Sequence, residues 1–302
     1  MNILSFFSKT MTGIDVQAGY LTCMQCQKLA NKLSIIQLAK RNLPSGLFYE
    51  SKIIAWDIFQ RELKNFVEET QIKGKVVVCL PTQLVRMQTI QLPANLTDSE
   101  IEAEINLHLQ RDLPGLTDNL WMDFVPISHE QSGHMDVCFA VTRQEYIARY
   151  IDCFSACDLN VNAVDVEILA LKRACYFGMP TKISKKEISG LIYLSQQKGI
   201  FLILDAWHIH HNQYWHHLSQ SLAEFIQTCL HTVRYRKISK LVICGMHDDL
   251  YSFEQMDECI ECHAINLVDK LYLTDNDIKN KLSSDLDSYL IALGLMLREM
   301  NQ

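Results

Sequence analysis

The chain has 302 residues, 48% apolar and 21% charged, which is enough for two compact domains of ordinary soluble composition. Its formal net charge of −7 excludes nucleic acid as the main partner, because phosphate contacts need clustered Lys and Arg. No run reaches the roughly eighteen apolar residues of a membrane-spanning helix. The 11 Cys, odd in number and irregularly spaced, describe free buried thiols of a reducing compartment rather than a disulfide framework.

The apolar opening, MNILSFF, lacks the basic start and cleavage site of a signal peptide. Residues 12–27 alternate around a glycine and predict a strand, a turn at Ala18-Gly19 and a second strand. Residues 53–70 carry apolar side chains at helical spacing. KVVVCL at 75–80 is a fully apolar, β-branched strand suited to the middle of a sheet. From Leu80 to Leu113 the chain reads as a strand ending in Leu-Pro, a second strand, another Leu-Pro and a helix. Thr97 and Glu100 form a capping box for that helix, and Ile101, Ile105 and Leu109 make its apolar stripe. A strand follows at 136–141. A second capping box, Thr142 with Glu145, is expected to open a helix to about Cys157. Residues 159–166 return as a strand and 167–177 as a helix.

The polar stretch GMPTKISKKE at 178–187 is the one clear composition shift and marks the domain boundary. The second half repeats the opening: strand 188–193, turn 196–199, strand 200–204, then a His-rich third strand. A helix over 218–235, a central strand KLVIC at 240–244 and a last helix over 284–300 complete it. Leu286, Leu290, Leu293 and Leu297 share one face of that last helix. Two halves that each open with an antiparallel strand pair, followed by helices and short apolar strands, fit a duplicated ribonuclease-H-like α/β fold, the architecture of actin.

Other constellations are weaker. Cys23 and Cys26 lie in a strand, where residues three apart face opposite ways, so they do not chelate a metal together with Cys259 and Cys262. Cys153 and Cys157 are expected to pack in the core. His208, His210, His211, His216 and His217 cluster densely, with His208 and His210 on one strand face. They read either as a surface metal site or as a His-rich hairpin edge, and no metal is assigned from the sequence. The basic group Arg234, Arg236, Lys237 and Lys240 reads as a solvated helix end.

Five stretches resemble the PilM family, actin-like cytoplasmic proteins of bacterial type IV pilus assembly. They are MTGIDVQ at 11–17, the Leu-Pro/helix/DLP run of 80–114, WMDF at 121–124, VDVEILALKRA at 164–174 and YLIALGLMLR at 289–298. The resemblance implies an actin-like two-lobed fold with an inserted α/β subdomain in the first lobe. Lobe I would cover residues 1–182, the insertion about 84–160, and lobe II residues 183–302, with the last helix packing back on lobe I.

It also implies a nucleotide site, and here the sequence departs from the pattern. Asp15 stands where the first loop's magnesium-serving Asp is expected, but Gln17 replaces the glycine two residues on. Tyr193-Leu-Ser195, followed by Gln196, Gln197 and Lys198, replaces an Asp-Ile-Gly pattern in the second loop. Only Gly245 remains of the adenosine loop, followed by Met246, His247, Asp248 and Asp249. The expectation is a degenerate site that keeps at most Asp15 and Gly245, with no catalytic residue, no hydrolysis and no ATP–magnesium cofactor. The family reading further implies an adaptor on the inner face of the inner membrane. It would bind the N-terminal cytoplasmic tail of a PilN-like membrane protein in a groove beside the insertion. Glu100, Glu102 and Glu104 could favour a basic tail there, or form a solvated helix face. The alternatives are an active actin-like ATPase of the pilus machine and a cytoplasmic component of a type II secretion system. The secretion relative continues into a membrane span, whereas this sequence ends at Gln302 after a soluble helix.

Overall fold

A computed structural model describes residues 10–29, 32–112, 115, 119–128, 133–179, 187–195, 198–205, 208–216, 221–245, 260–265, 267, 270–273 and 275–300. The chain starts as an antiparallel meander of β1 (Thr10–Val16), β2 (Tyr20–Leu29) and β3 (Lys32–Asn42). Ala18 and Gly19 form the two-residue turn of its first hairpin, closed by Gln17 N to Tyr20 O at 2.9 Å. A short hairpin follows, β4 (Phe48–Tyr49) and β5 (Lys52–Ile53), and then α1 (Trp56–Thr70). Helix α1 buries Phe59, Leu63 and Phe66 and stops at Gln71, which takes the left-handed conformation (φ 56°). The apolar strand β6 (Gly74–Leu80) then runs parallel to β1 in the middle of the sheet.

A single 3₁₀ turn (Thr82–Leu84) leads into a separate three-stranded sheet. It consists of β7 (Arg86–Pro93), β8 (Leu120–Ser128) and β9 (His134–Arg143), with β9 in the centre. Helix α2 (Asp98–Asp112) covers one face and sets Ile101, Ile105 and Leu109 on Met135, Val137, Phe139 and Val141. Its capping box forms: Glu100 accepts from Thr97 N at 2.8 Å, and Thr97 Oγ1 accepts from Glu100 N at 3.4 Å. Glu102 and Glu104 are exposed on its outer side.

Helix α3 (Gln144–Ser155) departs from expectation twice. Thr142 does not cap it but stays in β9 opposite Trp121, and its hydroxyl donates to Leu84 O at 2.7 Å. The helix begins after Arg143 with no side-chain cap. Nor does α3 belong with the inserted sheet. Its Ile147, Tyr150, Cys153 and Phe154 pack with Phe59, Leu63 and Phe66 of α1 in the core of the first lobe. The separate unit therefore spans 86–143, shorter at both ends than the expected 84–160. The chain then re-enters the first sheet as β10 (Leu159–Val166), parallel to β6, and turns into α4 (Glu167–Gly178). Most of the expected boundary stretch, residues 180–186, lies outside the described residues.

The second half builds β11 (Ser189–Leu194), β12 (Lys198–Leu204), β13 (Ile209–His216), α5 (Leu222–Tyr235), β14 (Lys240–Gly245) and β15 (Glu261–Ala264). The expected helix start at 218 moves to Leu222, because Ser221 and Glu224 form the capping box that fixes it. Strand order β13-β12-β11-β14-β15 repeats β3-β2-β1-β6-β10, with the same parallel and antiparallel partners. This is the duplicated ribonuclease-H-like arrangement. Strand β16 (Leu271–Leu273) crosses back and adds to β3 at the far edge of the first sheet.

The last helical stretch is two helices, α6 (Asn276–Ser284) and α7 (Leu286–Met300), broken at Asp285. Helix α7 lies between the lobes. It packs on α4, β1, β2 and β14, and with them forms a buried core drawn from both sheets. Its approach to α4 is backbone to backbone: a Cβ on Gly294 would stand 1.8 Å from Ala170 O. A Cβ on Gly13 would meet Ala292 O at 2.7 Å.

Gly→Ala inside a helix normally stabilises by about 1 kcal/mol. Gly294→Ala is expected to reverse that sign and destabilise by about 2–3 kcal/mol, because the two helices must separate. Urea unfolding checks this; a rise in midpoint would mean that the helices do not touch there.

Candidate functional site

The carboxyl ends of β1 and β6, the start of α4 and the β11–β12 turn converge on one buried polar group. Asp15 in β1 is buried, and both of its carboxylate oxygens accept from Gln17 Nε2 at 2.8 Å. Gln17 follows directly after β1, at the start of the hairpin turn, and its side chain folds back on Asp15. The same amide nitrogen is 3.2 Å from Glu167 Oε1, at the first residue of α4. Lys198, the first residue of β12, pairs its ammonium with that Glu167 oxygen across the lobes. Cys79 Sγ donates to Asp15 Oδ1 at 3.3 Å. Burial, with the nearby Glu167 charge, pushes the Asp15 carboxyl up to about 6, while Lys198 and Gln17 pull it down.

The turn that carries Lys198 is closed by Ser195, whose N donates to Lys198 O at 2.9 Å and whose hydroxyl accepts from Lys198 N at 3.3 Å. Tyr193 is buried in β11, and its hydroxyl donates to Asp287 O of α7 at 3.0 Å. Gly245 ends β14 with φ 108°, and a Cβ there would stand 1.8 Å from Leu194 O. Close strand packing therefore requires that glycine whether or not a ligand is present. Residues 196, 197 and 246–249 lie outside the described residues.

The family model for type IV pilus assembly protein PilM matches residues 13–208, well over half of the chain. The chain belongs to the PilM family of type IV pilus assembly proteins. Among solved structures it is similar to the PilM–PilN type IV pilus biogenesis complex, at 17% identity and a TM-score of 0.75, over 95% of this chain and 98% of that one. It is also similar to the cytoplasmic domain of EpsL, an inner-membrane component of the type II secretion system of Vibrio cholerae. That match has 11% identity and a TM-score of 0.51, over 92% of this chain and 96% of that one. A Bacteroides thetaiotaomicron protein with an actin-like ATPase fold and unknown function matches at 10% identity and a TM-score of 0.51, over 94% and 99%. These likenesses establish the actin-like fold.

Two of the PilM-like sequence stretches meet in space. Asp165 and Arg173 of VDVEILALKRA pair with each other, and Arg298 of YLIALGLMLR reaches Asp165 Oδ2 at 3.6 Å. Arg173 Nε also donates to Gly294 O at 2.9 Å. Glu167 of the first stretch and Lys198 are the site residues that sequence reading missed. The signal for Glu167 was its place in that stretch, but nothing in the sequence linked it to Lys198.

Cys23 and Cys26 are both fully buried and face different cores, Cys23 towards α1 and Cys26 towards α7. Cys259 and His217 lie outside the described residues. No helix among the described residues is long and apolar enough to cross a membrane.

Asp15 in the folded chain stays protonated up to about pH 6, whereas in the unfolded chain it ionises near 3.8. Between those values the folded state holds the extra proton, so stability falls as pH rises through the window. The full cost, about 3 kcal/mol, is present above the folded value. Asp15→Asn cannot ionise. It is expected to gain about that much relative to the parent chain between about pH 4 and about pH 7, read by urea unfolding. A pH-independent difference would give Asp15 an ordinary carboxyl.

Proposed function

We propose that the chain is a cytoplasmic adaptor of type IV pilus assembly, recruited to the inner face of the inner membrane by the N-terminal tail of a PilN-like protein. Family membership supports the pathway, and the similar solved assembly supports the partner. The observation that carries the binding mode is the open face of the inserted sheet. Strand β8 is an outer strand, and its Trp121 and Val125 are 49% and 59% exposed on the face away from α2. On that face Met87 and Ala140 pack against the core between the lobes, so the exposed strip of β8 lies at the edge of that packed region. Asp123 stands between Trp121 and Val125 on the same face and suits a basic residue of a tail.

Trp121→Ala is expected to weaken a synthetic PilN-like tail about tenfold or more, as truncation of an aromatic anchor does. Asp15→Ala should leave the affinity unchanged. Titration of the tail against each folded protein decides it. Equal affinity for Trp121→Ala and the parent, or no saturable binding at hundreds of micromolar, would overturn this reading.

The polar group around Asp15 supports the view that the chain does not use ATP hydrolysis. A magnesium-serving Asp needs free oxygens facing the nucleotide. Here both oxygens are held by Gln17, and Lys198 supplies a cation from within the chain. The residues present do not fit a magnesium–nucleotide complex. Phosphate release is expected to match a blank, with no change in Asp15→Ala. Release well above the blank that Asp15→Ala abolishes would restore the ATPase reading.

A further inference from the structure

Away from the nucleotide-like cleft, the β12–β13 hairpin brings together three side chains that the adaptor role does not use. Asp205 N donates to His208 O at 3.0 Å, and Asp205 Oδ1 accepts from His208 N at 2.7 Å. Those bonds fix the turn and leave Asp205 Oδ2 facing two imidazoles. Oδ2 lies 3.4 Å from His208 Nδ1 and 2.9 Å from His210 Nε2. One ligand atom from each of the three residues can be chosen so that all lie within 4.8 Å of one another. Tetrahedral ligands about 2.0–2.1 Å from a zinc ion stand about 3.3 Å apart, so only small rotamer adjustments separate this arrangement from a coordination sphere.

A second, independent feature points the same way. His208 Nε2 is buried and makes no hydrogen bond, and it lies 3.5 Å from Asp136 Oδ2 on β9 of the inserted sheet. A metal-bound imidazole characteristically directs its other nitrogen at a carboxylate, which fixes the tautomer and strengthens the ligand. Asp136 occupies that place.

We propose that Asp205, His208 and His210 form a divalent transition-metal site of the zinc class, with Asp136 as the carboxylate behind His208 and a fourth position open beside exposed His210. Two nitrogen donors and one carboxylate match zinc better than magnesium or calcium, which take oxygen sets. Because Asp136 belongs to the inserted sheet and the three ligands to lobe II, the ion would fasten one to the other.

The test is zinc titration of the tag-free full chain against a chromophoric chelator near neutral pH, together with the absorption spectrum of the cobalt(II) form. One tight equivalent is expected, with a tetrahedral cobalt spectrum lacking thiolate charge-transfer bands. His210→Ala, at an exposed position, should weaken zinc about a hundredfold, and Asp136→Asn about tenfold. Circular dichroism of the metal-free variants confirms that each is folded. Zinc affinity unchanged in His210→Ala, a thiolate-type cobalt spectrum, or no binding at micromolar zinc would each overturn the site.

Discussion

The architecture depends on the crossing of α4 and α7. At that point Gly294 and Ala170 bring two helix backbones closer than any side chain allows. The close approach lets α7 reach both sheets, with Leu290, Leu293 and Leu297 buried in a core shared by the lobes. Polar bonds on the same helix reinforce it. Thr22 donates to Ser288 O at 3.0 Å from the first sheet, and Tyr193 donates to Asp287 O at 3.0 Å from the second. Arg173 bridges α4 to α7 through Gly294 O, with Asp165 as its counter-charge. A wider crossing would loosen all of these at once, and with them the cleft in which Asp15 and Lys198 face each other.

In that cleft the chain's own polar groups meet from both lobes. An anion site needs free backbone N–H groups and a carboxylate able to hold a cation. Here a glutamine amide covers the carboxylate, and a lysine from the other lobe neutralises the neighbouring glutamate. A buried ion pair of this kind is weak evidence for net stability, since desolvation offsets much of the attraction. Its effect is on geometry: it ties the start of β12 to the start of α4.

Much of this was legible in the sequence. Strand alternation around Ala18-Gly19 and the apolar run KVVVCL located the first sheet, and Thr97 with Glu100 located α2, because each of those signals is local. What escaped was set by distance along the chain. Thr142 looked like a helix cap, but the β8–β9 ladder extends through it, and pairing with Trp121 prevails over the local motif. Helix α3 looked like part of the insertion because it follows in sequence; its Tyr150 and Phe154 instead complete the aromatic cluster of Phe59. Asp15 was found through its motif, but its environment was not, since Glu167 and Lys198 join it only after the lobes are docked.

The return of β16 to the edge of β3, and of α7 to the space beside β1, has a consequence for how the protein is made. The first sheet borrows its sixth strand, and much of its inner packing, from the last thirty or so residues of the chain. A ribosome that has released only the first lobe has released an unfinished one, with β3 unpaired on one side and an apolar face uncovered. Closing such distant contacts is entropically slow, and exposed strand edges invite mispairing in the meantime. The two lobes are therefore halves in topology, but the first does not mature until residues 271–300 have been made.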